Sequence, residues 1–348
     1  MPRSRPTVMF LLSIGLLACT GSASAQLPVE DWMPRPDARA PAGISEDAFL
    51  SQGGIEVSYT FRVMSYEDLL FETDEIPPIL VLSGTPQWPA FDMVPLSMSR
   101  QRHEFEARVG LLDWLGASVR VPFVSNSAEL ATENLVGSPS ASGLGDIEFH
   151  LLYALHQAWP YRAHLSIGAA VPTGSVEEIG QLPNAPFADQ LLPYPLQPGD
   201  GTLVLLPGAA FVAENEAGTV GIRGHARIPI GENDRGWTRG GGFEGSLWMA
   251  YRFTDWVSGS VRIHFRKTGS IEGFDPDVDH LSSPMAHPEL QGGTRIELPI
   301  GINIRFAEGP LRRNLIRAEF LLPVHQNLDG PQLKAKYGAA FSWSVGII

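Results

Sequence analysis

Polar and apolar residues alternate along several segments of this chain, each about ten residues long. In residues 102–111 (RHEFEARVGL), the even positions are charged up to Arg108, whereas the odd positions are mostly apolar. The same alternation occurs in residues 257–266 and 295–306. Period-two alternation of this length is typical of strands that separate lipid from a polar lumen. A soluble β-sandwich also alternates, but its strands are usually about five or six residues long.

Twelve such segments can be placed along the chain, at 53–64, 100–111, 115–125, 145–156, 161–173, 201–213, 217–229, 242–253, 256–267, 291–306, 314–324 and 333–347. The connections between them alternate in length: 65–99, 126–144, 174–200, 230–241 and 268–290 are long, whereas 112–114, 157–160, 214–216 and 254–255 are short. Bacterial outer-membrane barrels have short periplasmic turns and long outward loops, and an even strand number brings both termini to the periplasm. The sequence therefore predicts an all-β fold, an antiparallel transmembrane β-barrel of about twelve strands.

Two further features agree with a barrel. After the N-terminal region, no segment reaches the roughly eighteen uninterrupted apolar residues of a membrane helix, and only a closed barrel also pairs all its backbone groups in lipid. Three of the short connections contain or directly precede a tryptophan, at Trp114, Trp159 and Trp256. Tryptophan is enriched at the level of the lipid headgroups.

The N-terminus predicts export. Arg3 and Arg5 precede the apolar residues 7–18, and the small residues Ala23-Ser24-Ala25 follow, which is the order of a secretory signal peptide. The predicted organisation is a signal peptide at 1–25, a Pro- and Ala-rich periplasmic arm at 26–52 and an outer-membrane barrel at 53–348. An alternative is lipidation at Cys19, although Leu17 fits the lipoprotein motif poorly.

Composition excludes several kinds of partner and site. Two of the 25 basic residues lie in the signal peptide, so the mature chain has 23 basic and 38 acidic residues and a net charge of −15. Such an acidic chain is not expected to bind nucleic acid. Cys19 is the single cysteine, so no disulfide scaffold is expected. We expect no cofactor and no metal: residues 275–279 (DPDVD) suggest a calcium loop but lack its glycine and final glutamate.

Several short blocks resemble a known family. They are Gly143-Leu144-Gly145-Asp146, residues 171–174 (VPTG), residues 192–197 (LPYPLQ) with 206–208 (LPG), and residues 328–332 (LDGPQ). In this order they are similar to the outer-membrane family named for the meta-pathway of phenol degradation, whose members are labelled as transporters. The resemblance covers the chain from about residue 143 to its end. It implies a barrel that passes hydrophobic compounds and has no established catalytic residues.

The expected partners follow from this interpretation. They are outer-membrane lipid, a small hydrophobic solute and the barrel-assembly machinery; the sequence does not indicate an oligomeric state. Many outer-membrane barrels end in an aromatic residue, whereas this chain ends in Ile348. Phe341 and Trp343 nevertheless alternate onto the lipid-facing side, so assembly by that machinery is still expected.

If the apolar faces contact lipid, the charged faces line the lumen. The candidate lumen-lining residues are Arg102, Arg108, Arg120, Arg223, Arg227, Glu244, Arg262, His264, Arg266, Glu297 and Glu319. They could form a charged pore or an internal network of ion pairs. The narrow bore of twelve strands favours the network, with a narrow or gated path through it. Because the arginines outnumber the carboxylates locally, Glu297, Glu319 or a loop folded inward must complete the pairing.

Three functions are compatible with such a barrel. The first is a conduit for small, hydrophobic or aromatic compounds. The second is a lipid-modifying enzyme of the phospholipase type, for which His164 and Ser166 are the only candidate pair; alternation turns both inward, away from a lipid substrate. The third is a structural or receptor barrel that acts through its loops. The first is favoured, and no catalytic residue is assigned.

Overall fold

The alternation seen in the sequence becomes a sheet whose two faces differ in exposure. The computed structural model describes residues 35–306 and 308–347, so the signal peptide, Cys19 and the first part of the arm lie outside the described residues. Its strands are β1 (Ile55–Glu72), β2 (Asp74–Ile76), β3 (Val94–Leu112), β4 (Leu115–Ala131), β5 (Val136–Gly137), β6 (Ser140–Leu144), β7 (Ile147–Ala158), β8 (Tyr161–Val171), β9 (Ile179–Leu182), β10 (Ala185–Leu191), β11 (Leu203–Leu205), β12 (Gly208–Glu214), β13 (Gly218–Ile230), β14 (Trp237–Thr238), β15 (Gly242–Arg252), β16 (Val257–Thr268), β17 (Glu272–Gly273), β18 (Gly293–Arg305) and β19 (Asn314–Gly346).

Helical structure is limited to short pieces. They are one α-helix, α1 (Pro78–Ser83), and 3₁₀ turns at Pro36–Ala38, Tyr194–Leu196, Pro284–Ala286 and Pro288–Leu290. Within the described part of the chain, no helix has the length and hydrophobicity needed to cross a membrane.

Antiparallel pairing closes the sheet into a barrel. Starting from β15, the order is β15-β16-β18-β19-β1-β3-β4-β7-β8-β12-β13, and β13 pairs with β15 to complete the ring. The long element β19 contributes two staves, because residues 315–328 pair with β18 and residues 328–346 pair with β1. The barrel therefore has twelve staves, and the predicted antiparallel barrel is confirmed.

The strands differ from their predicted bounds mainly at one end. β1 continues to Glu72 and β3 begins at Val94, so their connection is much shorter than the predicted 65–99. The sixth segment, in which alternation is weakest, divides into β11 and β12 around Leu206 and Pro207. β1, β3 and β4 are longer than predicted because they continue towards the long-loop end, beyond their alternating residues, and pair with one another there.

Exposure separates the two faces of the wall. In β8, Tyr161, Leu165 and Ile167 are exposed, whereas Arg162 and His164 are buried. The outward face is apolar, and Trp114, Trp159 and Trp256 are exposed at the short-turn end of the barrel. This arrangement matches a lipid-facing wall with an aromatic girdle.

A cap of folded loops covers the opposite, long-loop end. Its apolar core contains Val81 of α1, Trp88, Phe91, Leu192 and Leu196, which are buried against residues at the upper ends of β1, β3 and β4. The long connections are therefore packed onto the barrel mouth.

Candidate functional site

The first described residues lie inside the barrel, at the short-turn end. Nearly all residues from 36 to 49 are buried, although they form only one 3₁₀ turn. We call residues 35–52 the plug. Side chains of the barrel wall donate hydrogen bonds to its backbone. Asn303 Nδ2 donates to the carbonyl oxygens of Pro36 and Arg39, and Arg162 Nη2 donates to that of Ala38. Wall side chains thus replace the hydrogen bonds that regular secondary structure would supply.

Asp47 is the centre of one cluster of charges in the plug. Arg39 donates to both of its oxygens (2.8 and 3.0 Å), Arg108 Nη1 donates to Oδ1 (2.9 Å) and Arg317 Nη1 donates to Oδ2 (3.3 Å). Arg39 also donates to Glu56 at 2.6 and 3.0 Å. The cluster joins the plug to β1, β3 and β19.

Glu46 is the centre of the second cluster. Its carboxylate accepts hydrogen bonds from Arg120 and Arg223, and His150 Nε2 lies 3.6 Å from Oε1. Burial disfavours the charged forms of Glu46 and Asp47, yet the guanidinium groups around them hold the pKa of both carboxyl groups well below the usual range. Both plug carboxylates are therefore ionised counter-ions of the wall arginines.

Besides these two clusters, a buried ion pair lies within the wall. Arg262 donates to both oxygens of Glu319 at 3.1 Å each, and the Gly43 amide of the plug donates to the same carboxylate. Both side chains are almost completely buried. The pair is buried and bidentate, which makes it part of a packed network.

The structure places all eleven predicted lumen residues on the inner face of the wall. Those that meet the plug or its neighbourhood are Arg108, Arg120, Arg223, Arg262 and Glu319. Those nearer the long-loop end are Arg102, Arg227, Glu244, His264, Arg266 and Glu297. In this second group, Arg266 Nε lies 3.0 Å from Glu244, Arg102 lies 2.7 Å from Glu104, and Arg227 lies 3.0 Å from Asp200 of the cap.

The missing counter-charges come largely from outside the wall. Arg262 is paired with Glu319, but Arg223 is paired with Glu46 of the plug and Arg227 with Asp200 of a loop. Sequence reasoning missed Glu46 and Asp47 because the arm has no periodicity. The local excess of arginine was the one signal that further carboxylates must enter the lumen.

The structure also gives hydrogen-bond partners for His164, a candidate enzyme residue in the sequence, and for the DPDVD loop, a candidate calcium site. His164 Nε2 lies 2.8 Å from the Glu46 carbonyl oxygen inside the barrel, so it helps hold the plug. In the DPDVD loop, Arg235 binds Asp275 and Asp277. Among the residues described, no group of three or more His, Cys, Asp and Glu side chains could hold a metal ion.

A cavity of about 180 Å³ lies between the cap and the upper wall. Its apolar lining includes Met98, Ile271, Met285, Leu328 and Leu333. Its polar lining includes four arginines, which are Arg100, Arg239, Arg266 and Arg295. The cavity is thus amphipathic and lies at the end of the barrel opposite the plug.

Comparison with solved structures identifies the fold. An outer membrane channel from Pseudomonas putida F1 superposes with a TM-score of 0.56 at 10% sequence identity, over 87% of this chain and 99% of that one. The fold is that of an outer-membrane β-barrel. At this identity the likeness concerns the fold alone.

Two transporters resemble the chain more distantly. The Ralstonia pickettii toluene transporter TbuX gives a TM-score of 0.42 at 10% identity, over 89% of this chain and 97% of that one. The P. putida toluene transporter TodX gives 0.42 at 11% identity, over 86% and 91%. No family model and no curated protein sequence matches the chain.

Proposed function

We propose that this barrel lies in the outer membrane, with its short turns and plug towards the periplasm, and conducts small hydrophobic compounds. The observation that carries the proposal is an amphipathic cavity beneath the cap of a barrel whose lower lumen is filled. A porin for polar solutes needs a continuous water-filled lumen. Here the ion pairs of Glu46 and Asp47 occupy that space.

The size of the cavity suggests the size of the solute. An apolar cavity of about 150 Å³ is enough to bind benzene, so the cavity of about 180 Å³ suits a compound with one aromatic ring. Met98, Met285 and Leu333 provide a deformable apolar surface for it. The resemblance to the phenol-degradation family implies passage of hydrophobic compounds, and the P. putida structure is that of an outer membrane channel.

A second cavity offers an exit that avoids the plug. The β13–β15 ladder ends at the pair Arg227–Gly242, and the next inward residue on β13 is Pro229, which has no amide hydrogen to donate. A cavity of about 80 Å³ lies where this ladder ends, at a place we call the seam, and it is lined by Pro229 and by the exposed Phe243. It shares Arg239, Gly240 and Thr268 with the first cavity. The solute would pass from the cap cavity through the seam into the membrane.

Uptake by cells tests the cavity. Cells that lack the chain are complemented with the wild type or with Met98→Trp, and the entry of radiolabelled toluene is measured. Met98→Trp fills the cavity and should return uptake to the level of the deletion strain. Met249→Trp places the same ring on the exposed outer wall and should behave like the wild type. Equal uptake by both variants would contradict a route through this cavity.

The seam has its own test. A Cβ at Gly241 would lie 3.5 Å from Pro229 Cδ and 3.1 Å from the Arg227 carbonyl oxygen, so Gly241→Leu should fill the gap after a small adjustment. Toluene uptake should then fall, whereas Ala209→Leu on the exposed face of β12 should have no effect. Normal uptake in Gly241→Leu would show that the solute leaves by another route.

Hydrolysis of lipid by the purified barrel would instead support the enzyme alternative.

A further inference from the structure

Four arginines line the cap cavity, and over the residues that the structure describes only two of them are paired with a carboxylate. Of its four arginines, Arg239 lies 2.6 Å from Asp200, and Arg266 lies 3.0 Å from Glu244. These two guanidinium groups are therefore paired with carboxylates of the cap and wall.

The other two arginines, Arg100 and Arg295, have no carboxylate within 4 Å among residues 35–306 and 308–347. Arg100 donates to the neutral oxygens of Asn126 (3.2 Å) and Pro195 (2.8 Å). Arg295 lies over the Tyr66 ring, 5.6 Å from its centroid, and its buried Nε has no acceptor among these residues. Both guanidinium groups line the cavity with capacity to bind an anion.

The strand register places Arg295 in an unfavourable position. It is directly opposite Arg266 in the β16–β18 ladder, and like charges in that arrangement destabilise a sheet. Glu297 is on the same face of β18, but it is not within ion-pair distance of Arg295. An anion beside Arg295 would relieve the repulsion between the two arginines.

We propose that the cap cavity binds amphipathic anions, specifically one-ring aromatic carboxylates. The ring would pack against Met98, Met285 and Leu333, and the carboxylate would accept hydrogen bonds from Arg295 and Arg100. Pockets of this kind, with an apolar lining and a few convergent polar groups, fix the orientation of a ligand, and arginine matches a carboxylate with two parallel hydrogen bonds. This inference rests on the proposed function and extends its substrate class from hydrophobic compounds to one-ring aromatic carboxylates.

Calorimetric binding of benzoate and toluene to the purified barrel in an uncharged detergent tests the site. Arg295→Gln should weaken benzoate binding about tenfold or more, because a charge-assisted hydrogen bond is lost, and should leave toluene binding within about twofold. Arg295→Lys keeps the positive charge but lacks the planar guanidinium with its paired donors, so benzoate binding should weaken less than in Arg295→Gln. The control is Arg312→Gln, an exposed arginine at the other end of the barrel, which should change neither affinity.

Thermal unfolding of the same variants separates binding from structure. Without ligand, Arg295→Gln should be at least as stable as the wild type, since it removes a like charge beside Arg266. Benzoate should raise the melting temperature of the wild type and of Arg312→Gln, and should raise that of Arg295→Gln much less. If Arg295→Gln does not assemble, Arg100→Gln serves the same comparison. Toluene binding with no binding of benzoate, or benzoate binding that both variants leave unchanged, would overturn the anion site alone. Failure of both ligands to bind the wild type would count against the proposed function itself.

Discussion

Asp47, in the irregular segment before the first strand, accepts a hydrogen bond of 2.9 Å from Arg108 on the barrel wall. The two residues are 61 positions apart in the chain, and both are buried. Together with Arg39 and Arg317, they convert a Pro- and Ala-rich arm into a fixed plug. These contacts hold the plug inside the barrel, and substitution of Asp47 tests their contribution.

Substitution of Asp47 by Asn should loosen the plug. The change leaves three buried arginines without their shared counter-ion, and breaking a buried pair in this way costs about 3–5 kcal/mol. The thermal unfolding temperature in detergent should fall, and single-channel conductance in planar bilayers should rise. Asp234→Asn, in an exposed loop, is the matched control and should change neither quantity. An unaltered melting temperature in Asp47→Asn would show that the plug is not held by this cluster.

Acid should open the same plug, but only at low pH. The pKa values of Glu46 and Asp47 are depressed in the folded state, so their stabilisation is present above the unfolded values of about 4.3 and 3.9 and is lost as the pH falls through the folded values. Conductance should therefore be constant from about pH 8 to about pH 5 and should increase below about pH 4. An increase near pH 6 would contradict this assignment.

The strand pattern was predictable because lipid on one side and charge on the other impose period two on each strand. Residues such as Arg262 and Glu319 could be placed on the inner face for that reason, and the structure pairs them. The plug could not be predicted in the same way. Its backbone is irregular, and Glu46 contacts Arg120 and Arg223, which are 74 and 177 positions away. No local pattern encodes such contacts.

The cap was hidden for a related reason. Its core joins residues from several loops, including Val81, Leu192 and Met285, none of which belongs to a long periodic segment. The cavity beneath it combines these loops with the ends of the strands, so the alternation assigned Arg266 to the inner face but could not predict a binding site.

Removal of Arg262 distinguishes a structural network from a wet path. Arg262→Ala leaves the buried Glu319 carboxylate with the Gly43 amide and no cation, so stability should fall by about 3–5 kcal/mol. The double variant Arg262→Met with Glu319→Gln removes both charges and should recover most of that loss. If Arg262→Ala instead keeps its melting temperature and shifts the bilayer reversal potential towards cation selectivity, the residue lines a hydrated passage.

Insertion of a charge into the outer wall tests the lipid-facing surface. Ile300 is 57% exposed on β18, and Ile300→Arg should cost about 2–4 kcal/mol near the middle of the bilayer or prevent assembly. Ile300→Leu should assemble normally. The heat-dependent mobility shift of folded barrels in gel electrophoresis measures both variants. Normal assembly of Ile300→Arg would mean that this face does not contact lipid.

The central claim is that the barrel admits small hydrophobic compounds while its plug excludes polar ones. The most direct measurement compares the entry rates of toluene and arabinose into cells with and without the chain. The chain should accelerate toluene entry and leave arabinose entry unchanged. Faster arabinose entry with no effect on toluene would identify a polar pore and contradict the account.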